Sequence, residues 1–268
     1  MSTELPGSDA AIAARIIALN RMERGRLAGL PEDFAPKSVD EGYRVQAELH
    51  GVYAEARYGV VAGHKIGCTT QVMQEYLKID QPCAGAILDR TVHQSGAALG
   101  HARFVRPGVE CEMAVRLALP LEAKDAPFDR ARVARAVGEV MAGIEIVDDR
   151  YEDWRQLDAA TLIADDFFNA GAVLGPPVAQ WQRLDLARIK GSMAINGKTV
   201  GTGTGADVMG HPLEALAWLA NHRARRGLGL ALGDVVLTGS IVQTHWIAQG
   251  EEAVITLDGL GQARVKFT

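Results

Sequence analysis

Glu110 and Glu112 stand two residues apart in Pro107-Gly108-Val109-Glu110-Cys111-Glu112-Met113. On an extended strand, an i, i+2 pair projects both carboxylates to one face. Two anions so placed repel, at about 4 Å by roughly 1 kcal/mol in water and about 4 kcal/mol at an intermediate dielectric. A partly buried pair therefore needs a proton or a cation between its members. A hard divalent cation with oxygen ligands meets that need, and magnesium keeps its remaining positions for water or substrate oxygens. The other reading of the same letters is a solvated strand face. Glu145, in Ile144-Glu145-Ile146-Val147, supplies a third carboxylate that points away from its isoleucine neighbours. An acid inside an apolar strand is unusual unless it is paired.

Lys65 sits in Gly63-His64-Lys65-Ile66-Gly67, which reads as a loop whose glycines let backbone approach a ligand closely. A lysine there holds an oxyanion or moves a proton, or is simply a surface lysine with a polar histidine beside it. Asp165-Asp166 precedes Phe167-Phe168 and either caps a turn or lines a cleft, while the charge-dense 148–154 reads as a solvated turn. Thr238-Gly239-Ser240 follows a Val-Val-Leu strand, and its backbone N–H and hydroxyl donors suit a carboxylate or an ordinary turn. Gln243, His245 and Trp246 are expected on the same wall. The three cysteines, Cys68, Cys83 and Cys111, form no CxxC pair and no zinc spacing. Cys111 falls on the apolar side of its strand and the other two have no evident base, which weighs against thiol catalysis.

The elements that position these residues follow from periodicity. Residues 10–28 predict an amphipathic helix with Ile12, Ile16 and Leu19 inward and Arg21 and Arg24 outward. Ser38 three residues before Glu41 is a capping-box spacing that opens a second helix to about Tyr58. A short helix is expected over 71–77, then loops and brief strands over 84–106. Strict alternation over 109–119 predicts a half-buried strand, helical spacing over 127–143 a helix, and 144–147 a second strand. Asn196-Gly197 within an alternating stretch predicts a type I′ hairpin, and 212–226 a helix opened by Pro212 and ended by Gly227. Three short strands close the chain. With no regular strand–helix alternation and no GxGxxG, the pattern predicts an α+β fold.

The chain has 268 residues, 48% of them apolar and 23% charged, with a net charge of −5. That composition fits a globular protein and argues against a nucleic-acid footprint. No apolar run approaches the roughly 18 residues of a membrane span. The opening MSTELPGSDA lacks a basic and then apolar leader, so a cytoplasmic location is expected.

Read in order, GHKIGCTTQVMQEYLKIDQPCAGAI, PGVECEMAVRL, GIEIVDDRYEDW, LIADDFFNAGAVLG and GHPLEALAWLANHRARRGLGLALGDVVLTGS resemble the 2-oxopent-4-enoate hydratase and 4-oxalocrotonate decarboxylase group of the fumarylacetoacetate hydrolase superfamily. The resemblance implies a mixed β-roll-like catalytic core over 61–268 with an N-terminal helical region over 1–60. It implies Mg2+ or Mn2+ on Glu110, Glu112 and Glu145, and Lys65 as a catalytic lysine; Asp165, Asp166 and His245 are the candidates for the proton relay, and Cys83 is counted with the catalytic residues. Ile66, Gly239, Ser240 and His245 would contact the substrate, a small 2-oxo acid. Where hydratases of the group carry Asp after Gln-Pro, this chain has Cys83, and no Pro-containing stretch follows Ser240. The implied chemistry is enolate formation, leading to hydration of a 2-hydroxydienoate, or alternatively to decarboxylation or acylpyruvate C–C hydrolysis. A binding protein with a structural metal is the non-enzymatic alternative. Assembly as a homo-oligomer is expected from the same resemblance.

Overall fold

The computed structural model describes residues 7–268. Helix α1 (Asp9–Glu23) starts at Ser8, whose hydroxyl accepts from the Ala11 N–H, and α2 (Val39–Glu55) starts at Ser38, which accepts from Glu41 as the spacing predicts. The inward face of α1 is Ile12, Ala13, Ala14, Ile17 and Ala18, while Leu19 is exposed. Arg21, expected outside, is buried because its guanidinium has partners inside: the Asn169 carbonyl at 2.7 Å and Asp165 at 3.4 Å. The two helices share an apolar cluster that also includes Leu88 and Ala164.

The rest is strand-rich. In chain order come β1 (Val61–Gly67), α3 (Gln71–Leu77), β2 (Cys83–Leu88), β3 (Val92–Gln94), β4 (Ala97–Leu99), β5 (Pro107–Leu117), α4 (Arg130–Ala136) and β6 (Val137–Asp148). They are followed by α5 (Ala159–Ala164), β7 (Asn169–Leu174), β8 (Lys190–Ile195), β9 (Lys198–Thr204), α6 (Pro212–Ala224), β10 (Val235–Trp246), β11 (Glu252–Leu257) and β12 (Gly261–Phe267). Among the described residues, a mixed seven-stranded sheet runs β2-β1-β10-β5-β6-β7-β3, and a five-stranded sheet runs β4-β12-β11-β8-β9. The fold is therefore mixed helix and sheet, as the sequence predicts.

The two faces of β5 have different neighbours. Val109, Cys111 and Met113, with Ile144 and Ile146 of β6, join Met193, Ile255, Val265 and Phe267 of the smaller sheet in one core. The opposite face carries Glu110, Glu112 and Ala114, and the larger sheet rolls over it. Lys65 of β1 reaches Glu145 of β6 although β10 and β5 lie between their strands in the ladder. Only a strongly curled sheet permits that contact, because adjacent strands lie about 4.8 Å apart.

Four local expectations change. Residues 107–117 are buried almost throughout rather than on one face, because rolling covers the second side. The helix expected over 127–143 shrinks to α4, and Val137, Val140 and Met141 open β6. Their helical spacing is accidental in a run buried on both faces, where periodicity carries no information. Lys65 lies on a strand, not in a loop, and a Cβ at Gly63 would meet the Val235 carbonyl at 2.2 Å, so that glycine admits the parallel strand β10 rather than a ligand. Thr238-Gly239-Ser240 falls inside β10, where register shifts against β5 between Leu237 and Ser240. The Asn196-Gly197 hairpin forms between β8 and β9, both turn residues having positive φ.

Candidate active site

Antiparallel pairing sets Glu110 of β5 directly opposite Glu145 of β6, and Glu112 lies two residues along on the same face. One carboxylate oxygen from each of the three lies within 4.8 Å of the others. Glu112 and Glu145 are wholly buried and Glu110 is half-buried. Each is held from outside the trio. The Thr244 hydroxyl donates to Glu110 Oε1, the Gly239 N–H to Glu112 Oε2 at 2.8 Å, and Asn169 Nδ2 to Glu145 Oε1 at 3.0 Å. Gly239 has φ +124°, and a Cβ there would meet Thr69 at 2.6 Å, so the bulge that aims its N–H at Glu112 requires glycine.

Lys65 Nζ lies 3.1 Å from Glu145 Oε1 and above the Phe167 ring. Burial works against its ammonium, but Glu145, Glu110 and Glu112 together raise its pKa above the ordinary lysine value. Burial, then the Glu145 charge, pushes Glu110 up to about 7. Burial followed by Glu145 and Glu110 holds Glu112 well above the usual carboxylate range. One lysine against three carboxylates leaves net negative charge. Glu112 Oε1 and Glu145 Oε2 are buried without a hydrogen-bond partner. Two unsatisfied acceptors facing a third carboxylate form a hard-oxygen donor set, and a divalent cation fits them in charge and in chemistry.

The remaining expected residues lie at varying distance from this centre. Asp165 accepts from Arg150 at 2.7 Å and pairs with Arg21, and Asp166 accepts from the Ala86 N–H at 2.8 Å and contacts His50 Nε2 at 3.0 Å. Both aspartates are buried in structural pairs, and their hydrogen bonds and ion pairs run to Arg150 and to α1, α2 and β2 rather than to Lys65 or the glutamates. Asp148 and Arg150 are likewise buried, so the stretch expected as a solvated turn is an internal ion-pair network. Ile66 is fully buried and alternates away from Lys65. The Gly239 N–H is engaged by Glu112, and the Ser240 hydroxyl donates to the Val242 carbonyl at 2.6 Å, so neither donor is free for a carboxylate. His245 lines a shallow cleft between β9 and β10 together with Thr202 and Thr244. Cys83 is buried at the start of β2 within the field of Lys65. Thr244 and Asn169, which orient two of the glutamates, were not anticipated. Their only sequence signals are a lone hydroxyl in an alternating strand and an amide directly after the Phe pair.

A family model described as fumarylacetoacetate (FAA) hydrolase C-terminal matches residues 81–268. The chain is 35% identical over 208 residues to a 2-keto-4-pentenoate hydratase of Burkholderia vietnamiensis, covering 78% of each. It is 32% identical over 244 residues to a 2-hydroxyhexa-2,4-dienoate hydratase of Comamonas testosteroni, covering 90% of this chain and 91% of the other. Its fold superposes with a TM-score of 0.91 on a 4-oxalocrotonate decarboxylase from Pseudomonas putida G7 complexed with magnesium and adipate, at 26% identity and full coverage of both chains.

Proposed function

The chain belongs to the fumarylacetoacetate hydrolase C-terminal family, and from that premise we propose that it is a divalent-cation-dependent lyase hydrating a 2-hydroxypenta-2,4-dienoate-like acid. The observation that carries the reading is the buried trio of Glu110, Glu112 and Glu145 with two unpartnered oxygens, faced by Lys65. These three carboxylates would hold Mg2+ or Mn2+, and the bound cation supplies a Lewis acid for a 2-oxo acid passing through its enolate form. The structure described as complexed with magnesium supports that choice of cofactor.

The chain's own groups do the rest. Thr244, Gly239 and Asn169 fix the three carboxylates so that the donor set needs little rearrangement to receive its ion. The Lys65 ammonium donates to Glu145 in the resting protein and is placed to donate to a substrate oxyanion or pass a proton from Nζ. The rolled sheet and the Phe167 ring exclude water from that proton. In this reading Cys83 takes the place of the acid that hydratases of the group carry, the N-terminal region expected over 1–60 forms a helical cover over its described part, 7–60, and residues 61–268 form the catalytic part.

A cytoplasmic homo-oligomer is the proposed working form. Three free cysteines support a reducing compartment, and no helix among the described residues is long and apolar enough to cross a membrane. Decarboxylation of a 4-oxalocrotonate-like acid is the second reading, favoured by the full-length structural likeness. A panel of 2-hydroxydienoates, oxalocrotonates and acylpyruvates, turned over with magnesium and analysed by product mass, tests both. Addition of water to the dienoate is the expected result, and loss of carbon dioxide with no hydration would shift the assignment to the decarboxylase.

A further inference from the structure

Cys68 has no part in the proposed reaction, yet its backbone is held in an uncommon form. β1 pairs with β2 so that Gly67 faces Cys83, and simple alternation would turn Cys68 to the opposite side. Instead Cys68 adopts φ 57°, a left-handed conformation that side-chain-bearing residues seldom take. The strand ends there, one residue past the Gly67–Cys83 pair, and Cys68 packs against the apolar cluster that contains Cys83. The neighbouring Cys83 holds Cys68 below the usual thiol range, while Cys68 and then burial push Cys83 above it. Cys68 is half-buried, so small solutes reach it, while Cys83 is 2% exposed just behind it. Cys111 lies on the other face of the sheet, buried against the Ser192 carbonyl. A reachable, thiolate-prone sulfur backed by a second thiol has the anatomy of a peroxide-reactive pair.

We propose that Cys68 and Cys83 are an oxidisable dithiol at the end of β1, with Cys68 the attacking sulfur, Cys83 the resolving one and hydrogen peroxide the oxidant. The Cys68 thiolate attacks one peroxide oxygen, the O–O bond breaks, and hydroxide leaves and takes up a proton as water. Cys68 is then a sulfenic acid. The Cys83 sulfur, giving up its proton, attacks Cys68, the S–O bond breaks, and a second water leaves. Two thiols have lost two electrons and one peroxide has become two waters. The disulfide ties the turn after β1 to the first residue of β2, three positions from Lys65.

Intact protein exposed to hydrogen peroxide, blocked with N-ethylmaleimide and digested without reductant is expected to yield one linked peptide pair joining Cys68 to Cys83. Dithiothreitol should reverse it, and Cys111 should oxidise roughly tenfold more slowly or less. In Cys83→Ser, dimedone should trap the sulfenic acid on Cys68. The assignment is overturned if wild-type Cys68 stays unmodified or passes to sulfinic acid without a linked peptide. It is equally overturned if dimedone labels Cys68 to the same extent in wild type and Cys83→Ser.

Discussion

Replacing Glu112 by Gln should stabilise the protein without metal and abolish its response to metal. Each pair of carboxylates in the trio, with oxygens within 4.8 Å, repels by about 3.5 kcal/mol at an effective dielectric of 20. Removing one charge relieves two such pairs, about 7 kcal/mol gross. Two effects reduce that figure: Lys65 loses an attractive partner, and a proton drawn by the raised pKa of Glu112 already screens part of the repulsion. A net gain of about 1–3 kcal/mol remains, or roughly 2–4 °C of Tm for each kcal/mol. Glutamine can keep its carbonyl oxygen on the Gly239 N–H, so that bond survives.

The pH dependence follows from Glu110. Its folded pKa, pushed up to about 7 from an ordinary 4.5, means the folded protein binds the proton more tightly than the unfolded chain. The resulting stabilisation is complete below 4.5 and is lost as pH rises through about 7. In EDTA, wild type should therefore melt lower at pH 8 than at pH 6, and Glu112→Gln should lessen the drop. Magnesium at a hundredfold excess over its Kd should restore about 2.7 kcal/mol to wild type and nothing to the variant. Thermal unfolding with EDTA or magnesium at both pH values reads all of these. A variant less stable than wild type in EDTA, with an undiminished magnesium shift, would refute the electrostatic reasoning.

Three further outcomes are expected. Lys65→Met should lower kcat by roughly two orders of magnitude while calorimetry still finds divalent-cation binding, and unchanged turnover would remove the lysine from the proton path. Asn169→Leu deprives Glu145 of its amide donor and should weaken magnesium binding about tenfold by calorimetry, whereas equal affinity would show that Glu145 needs no such support. Arg150→Met leaves Asp165 buried with only the longer Arg21 contact, and urea unfolding should register a loss of about 3–5 kcal/mol. A loss below about 1 kcal/mol would mean the network relaxes around the gap.

The trio was legible because strand alternation fixes which side chains share a face, and Glu110 and Glu112 sit on the most regular alternation in the chain. Glu145 was legible as an acid among isoleucines, although its exact pairing with Glu110 is a matter of register that spacing does not reveal. What failed was inference from local charge. Asp148, Arg150, Asp165 and Arg21 look like surface residues one at a time, and their burial follows from mutual pairing across distant segments. The same holds for β6, whose opening valines fit a helix until β5 pairs with them on one side and Val178 bridges Val140 on the other. The Gly239 N–H shows a subtler limit: its donor chemistry was recognisable, but its acceptor proved to be the protein's own Glu112.

The rolled sheet also dictates when, during synthesis, this centre can exist. Both glutamate strands have been synthesised once residue 148 is added, and Lys65 long before. Yet β1 joins the sheet through β10, which pairs Gly63 with Val235 in parallel and is itself the neighbour of β5. Until residues 235–246 emerge, the lysine strand has no seat beside the carboxylates. Such end-to-end pairing is slow to form and comes after local structure. A nascent chain stalled before β10 would carry three crowded acids and no ammonium to face them, so high-affinity magnesium capture marks a polypeptide in which β10 has already emerged.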